Sequence, residues 1–155
     1  GNFVYTMPMQ NPYSISTYLN KGVFVSIGGS YLVAVLWFGP LAKIHLKESG
    51  IVSDPSTESP PALDGQAFLQ EIMTWTVQSM AMYYLVKQME IEDPIKASLA
   101  AGGVIGVFYA ALPHYMRWRW VKHKSYKSIT AIGIDCGGHI LFSMVQAYCV
   151  TKYGP

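Results

Sequence analysis

A chain of 155 residues falls within the usual size of one domain, yet only 13% of it is charged, against about 25% in soluble domains. Aromatics at 14%, eight Met, four Trp and eleven Tyr, with a mean hydropathy of +0.23, exclude a disordered tail, a collagen-like repeat and a disulfide scaffold. The net charge of +2, from 11 basic and 9 acidic residues, is too small for a nucleic-acid binder resting on dispersed phosphate contacts, so the composition implies a membrane protein with no nucleic-acid partner.

Residues 1–21 contain Pro8, Asn11 and Pro12 and lack the basic start, apolar run and small-residue cleavage site of a signal peptide. They are expected to form an extended or surface-lying segment, with Tyr13, Tyr18 and Leu19 at the interface. Gly1 stands where an initiator Met would, as in a processed or incompletely ordered chain.

A spanning helix needs about 20 predominantly apolar residues to cross about 30 Å of hydrocarbon. Gly22 to Ala42 is free of charge, and Trp37-Phe38-Gly39-Pro40 puts an aromatic anchor and a helix breaker near its end. Ala67 to Met89 is apolar apart from Glu71 and Lys87, with Asp64 available as a cap. Ala97 to Met116 follows Asp93-Pro94, an N-cap and first-turn proline, and runs uncharged to Arg117. Ile129 to Thr151 reads as a span despite Asp135 and His139. The connections are the Ser/Pro stretch Ser53 to Asp64, the acidic turn Glu90 to Asp93 and the basic segment Arg117 to Lys127. The expected fold is all-α: a polytopic membrane protein whose domain over 22–155 is a four-transmembrane-helix bundle with spans at about 22–42, 67–89, 97–116 and 129–151.

Lys and Arg set the expected orientation. One face carries Lys43, Lys47, Arg117, Arg119, Lys122, Lys124 and Lys127, seven in all, and the other Lys21, Lys87, Lys96 and Lys152. That places both termini on the outer, intermembrane or lumenal side. Arg117, Trp118, Arg119 and Trp120 alternate cations with indoles; they suit anionic headgroups first and a partner surface second, while Trp37 and Pro40 mark the interface on the first span.

Small residues allow helices to approach in lipid. Ser98, Gly102, Gly106 and Ala110 recur every four residues, Gly133 and Gly137 repeat the spacing on the last span, and Ser26, Ser30 and Ala34 do so on the first. Packing within one bundle is the expected role, ahead of a dimerisation face.

Ionisable groups inside spans are functional candidates by default. Asp135 and His139 lie on one face at i, i+4, with Gln146 on the same stripe. Counted from the seven-cation face, Glu71 lies about 6 Å inside its span, His114 about 3 Å and Asp135 about 9 Å, so these groups fall in one leaflet. The Asp135/His139 pair is expected first as a stabilising hydrogen bond, second as a proton or ion relay, and third as a metal or pigment site through His114 or His139. Met73, Met80, Met82 and Met89 read as packing groups. Cys136 and Cys149 are about 20 Å apart along one helix and read as inert thiols. No phosphate-binding loop, nucleophile elbow or Cys-x-x-Cys pair is present in the sequence; no catalytic residue, no metal site and no cofactor beyond structural lipids are expected.

Tyr31 to Ile44, YLVAVLWFGPLAKI, and Ile134 to Leu141, IDCGGHIL, resemble the first and last helices of the small four-helix membrane proteins of the domain of unknown function 1761 family. In that family a Trp followed by an aromatic and Pro closes the first helix, and an Asp, often with a His one turn later, marks the last. The resemblance implies a four-helix fold and Trp37, Pro40, Asp135 and His139 as marked positions; it implies no activity. The long Ser53 to Asp64 connection and the basic Arg117 to Lys127 loop depart from the short pattern and suggest contact with neighbours.

The expected function is a non-catalytic accessory subunit of a larger membrane complex in an energy-transducing organelle, such as a respiratory, ATP synthase or photosystem assembly. The mitochondrial inner membrane comes first and the thylakoid second. Its partners would be other membrane-protein subunits and lipids, including anionic headgroups. A small transporter or proton conductor using Glu71, His114, Asp135 and His139 is the alternative, and a membrane-embedded enzyme the third reading.

Overall fold

The computed structural model describes residues 14–54, 56–58, 64–120 and 128–155, and among them every regular element is helical. A single turn, α1 (Ile15–Tyr18), precedes four long helices: α2 (Lys21–Glu48), α3 (Gly65–Gln88), α4 (Pro94–Trp120) and α5 (Ile129–Tyr153). Most of the expected N-terminal surface segment, the centre of the Ser53 to Asp64 connection, and Lys122, Lys124 and Lys127 lie outside the described residues.

Each long helix starts on a side chain that accepts from its first free N–H groups. Asn20 Oδ1 accepts from the Val23 amide at 3.2 Å, Asp64 from Gln66 at 3.0 Å, and Ser128 Oγ from Ala131 at 3.3 Å. Asp93 Oδ1 accepts from both Ile95 (2.8 Å) and Lys96 (3.0 Å), with Pro94 at the first helical position, where no donor is needed. These contacts pull the Asp93 carboxyl below its ordinary value, the Lys96 amide being the largest cause. The Asp64 and Asp93 caps thus stand where the sequence placed them.

Pro40 does not end the first helix. The backbone widens to π winding over Ala34–Phe38, just before the proline, and α2 then continues to Glu48. A proline inside a helix removes one donor and crowds the carbonyl four residues back, and a π segment there absorbs both defects. α4 repeats the device: π winding over Gly106–Ala111 leads into Pro113. The expected end at Ala42 is therefore six residues short, and the basic segment expected as a loop from Arg117 begins as helix through Trp120.

α2, α4 and α5 are long and apolar enough to cross a membrane. α3, at 24 residues, has the length, but Gln66, Gln70, Thr74, Thr76, Gln78 and Gln88 dilute its apolar content below that of the other three. The helices run up-down-up-down, and α5 packs on all the others. A methyl group on Gly102 would come within 2.5 Å of Met144 Cα, and one on Gly106 within 2.7 Å of Ile140 Cα, so these glycines let α4 lie against the α5 backbone. Ser98 and Ala110 of the same stripe are half-buried. On α5, Gly137 lies under the Trp37 ring, whereas a methyl on Gly133 would meet nothing within 4 Å. Gly137 serves packing as expected; Gly133 is exposed and does not.

Apolar side chains fill the core, around Val23, Met82, Val86, Ala101, Ala147 and Val150, and large ones also cover the outside. Ser26, Ser30, Ser79 and Gln146 are buried, while Phe24, Leu32, Leu36, Met73, Val77, Leu99, Phe108 and Tyr109 are exposed.

Candidate functional site

At the Glu48 end of the bundle three helices converge on one carboxylate. Asp135 Oδ1 lies 2.7 Å from His45 Nε2, and Asp135 Oδ2 lies 3.3 Å from His114 Nε2. An ionised carboxylate only accepts, so both imidazoles present Nε2–H to it. The side chains are 12% (Asp135), 19% (His45) and 31% (His114) exposed, a burial that shelters the pair without sealing it from water. The His139 ring lies edge-on to His114 with centroids 5.4 Å apart, and Phe38 covers His45 at 5.8 Å. The Ser128 amide donates to the Glu48 carbonyl at 2.9 Å, tying the ends of α2 and α5 together beside this cluster.

The expected His114, Asp135 and His139 are thus brought together. Two other expected members are not. Glu71 is exposed on α3, and Gln146 belongs to a separate layer about 16 Å further along α5. The residue that sequence reasoning missed is His45. It was passed over because Pro40 was read as the end of the helix; the apolar residues Leu41, Ile44 and Leu46 beyond the proline were the available signal that the span continues.

In the second layer Gln146 Nε2 donates to Ser30 Oγ (3.1 Å) and to Gln78 Oε1 (3.2 Å). Ser26 and Ser79 share a hydrogen bond at 2.7 Å. The layer therefore joins α2, α3 and α5 through neutral groups, of which Ser26, Ser30 and Ser79 are fully buried and Gln146 is 2% exposed.

Between the two layers stands a block of aromatic rings. Phe142 stacks on Phe38 at 6.3 Å and tilts against Trp75 at 5.7 Å. On α2 and α5 the rings stand between the two polar levels, since Phe38 lies between Ser30 and His45 and Phe142 between His139 and Gln146; Trp75 meets Phe142 from α3, one turn from Gln78.

Trp37, expected as an interface anchor, turns inward instead: its Nε1–H donates to the Ile134 carbonyl at 2.9 Å while the ring covers Gly137. Trp118 is half-buried against Tyr115, with centroids 5.8 Å apart, and Arg117, Arg119 and Trp120 are exposed at the end of α4, as an anchoring role requires. Both cysteines are free thiols; Cys136 Sγ donates to the Ala111 carbonyl at 3.3 Å. Among the described residues no group of three His, Cys, Asp or Glu has the geometry to hold a metal ion.

Comparison with known proteins gives no family model that matches, and no curated protein or solved structure that matches.

Proposed function

We propose that the chain is an integral membrane protein acting as a non-catalytic accessory subunit of a larger membrane complex. The membrane part rests on three helices long and apolar enough to cross a membrane and on the large apolar side chains that cover the outside of the bundle. Four spans, with α3 among them, fit the way α3 disposes of its polarity. Thr74 and Thr76 bond back to the Gln70 and Ile72 carbonyls at 2.9 and 2.8 Å, Ser79 bonds inside the bundle, and the exposed Gln78 reaches in to Gln146. Membership of the domain of unknown function 1761 family is part of the same reading.

The accessory role rests on one observation above the rest: the interior polar groups bond helix to helix, and the Phe38, Trp75 and Phe142 block separates the two layers. Such an interior fixes helix register, with the buried hydroxyl of Ser143 standing between the layers on α5. The seven-to-four excess of Lys and Arg favours both termini on the intermembrane or lumenal side, and the enlarged connections favour an organellar assembly, the mitochondrial inner membrane ahead of the thylakoid. A proton or ion conductor is the second reading, favoured by the carboxylate held between His45 and His114. Purification from native membranes in mild detergent, followed by mass spectrometry, tests the accessory role. A stoichiometric set of larger membrane subunits is expected; recovery as a homo-oligomer alone would overturn it.

A further inference from the structure

Outside the bundle, between α2 and α5, runs an apolar groove of about 760 Å³. Gly28 and Gly29 form its floor, Leu32 and Val145 its walls, and Trp37 lies at one end. Helical spacing identifies what stands at the other end. Lys21 precedes Val25 by four residues and Gly28 by seven, and Lys152 follows Tyr148 by four and Val145 by seven, so each lysine continues a groove-lining stripe. The Lys152 ammonium lies 6.0 Å from the centroid of the Tyr148 ring, itself part of the groove. The nearby carboxylates Glu90 and Glu92 line a different cleft, with Val150 and Gly154.

From Val25 to Trp37 the groove runs about 18 Å, close to half of a hydrocarbon core about 30 Å thick. It is one leaflet long, apolar along its length and cationic at its mouth. A partner helix, about 10 Å across, would need the seam to stay open past Trp37. We propose that this groove binds one anionic phospholipid, with an acyl chain along Gly28 and Gly29 and the phosphate between Lys21 and Lys152.

The proposal rests on the membrane reading and is independent of the accessory role. A methyl group on Gly28 would meet nothing within 4 Å, so a side chain there enters the groove from an open site, and Gly133→Leu is the matched control where a methyl also meets nothing. The full chain in mild detergent is titrated with dioleoyl phosphatidylglycerol or dioleoyl phosphatidylcholine and read by native mass spectrometry. Wild type should retain one phosphatidylglycerol in preference to phosphatidylcholine. Gly28→Leu should weaken retention about tenfold, Lys152→Gln should cut the preference about fivefold, and Gly133→Leu should match wild type. Equal retention of the two lipids, unchanged retention in Gly28→Leu, or a dimer that Gly28→Leu abolishes would each overturn the proposal. Release of the chain from phosphatidylglycerol vesicles by an alkaline wash would instead remove the membrane reading on which it stands.

Discussion

At the Glu48 end the bundle interior is built from His45, His114, His139 and Asp135, whereas about 16 Å along α5 it is built from Gln146, Gln78, Ser26, Ser30 and Ser79. Both layers tie α5 to two other helices, yet only the end layer uses ionisable groups, while Ser26, Ser30, Ser79 and Gln146 of the inner layer are the more deeply buried, with Gln78 at its exposed edge. Desolvation explains the division. A carboxylate buried at mid-bundle would cost several kcal/mol that two imidazoles do not fully return, whereas an amide or hydroxyl with a partner in place costs little. Near a helix end a carboxylate keeps some access to water, so the same geometry becomes affordable there.

The largest effect is expected from Asp135→Ala, which leaves His45 and His114 facing each other without an acceptor. It should lower unfolding stability in detergent by about 3 kcal/mol, while Asp135→Asn, which keeps one acceptor oxygen, should cost about half as much. Equal stability of wild type and Asp135→Ala would show that the end layer holds nothing together. Next comes Gln146→Leu, which removes the bonds to Ser30 and Gln78 at similar volume; denaturant titration should register about 1 to 2 kcal/mol, since interhelical hydrogen bonds in lipid average about 0.6 kcal/mol each and a stranded Ser30 adds to the loss. A loss greater than that of Asp135→Ala would invert the ranking of the layers. Ser26→Ala should cost about 0.6 kcal/mol, and the double change with Ser79→Ala should cost less than the sum of the two singles. Strict additivity would mean that the 2.7 Å bond carries no energy.

The smallest effect lies outside both layers. Because the Asp93 carboxyl sits below 3.8 through its bonds to the Lys96 and Ile95 amides, its support for the start of α4 is complete above that value. It is lost as pH falls through the lower, folded-state value. The Lys96 amide resonance should therefore titrate with a midpoint below pH 3.8, and Asp93→Asn should abolish the movement. A midpoint at or above 3.8 would remove the cap.

Helical spacing made much of this legible in advance. The four long helices, the Asp64 and Asp93 caps, the Gly102 and Gly106 contact and the alignment of His114, Asp135 and His139 all follow from hydropathy windows and positions three or four apart. What stayed hidden depends on exceptions to that spacing. Pro40 and Pro113 are local helix breakers by residue type, and only the π winding before each lets the chain continue, carrying His45 into the site. Residue type alone puts Trp37 at the interface, but the space above Gly137 seats its half-buried ring against α5. Ser26 and Ser79 are 53 residues apart, and no spacing rule within one helix could have paired them. Gln146 shares the Asp135 stripe in azimuth, and the aromatic rings at Phe142, Phe38 and Trp75, which no spacing rule brings together, stand between the two ends of that stripe.

That interruption is also where the account is most open to contradiction. The purified chain, reconstituted into sealed vesicles enclosing a pH-sensitive dye, can be given a transmembrane pH difference and its dissipation followed. With the Phe38, Trp75 and Phe142 block separating the layers, wild-type vesicles should leak no faster than empty ones, and Asp135→Asn should change nothing. Proton flux well above the empty-vesicle rate, lost in Asp135→Asn while the protein stays folded, would contradict the packing role and assign the His45, Asp135 and His114 cluster to conduction.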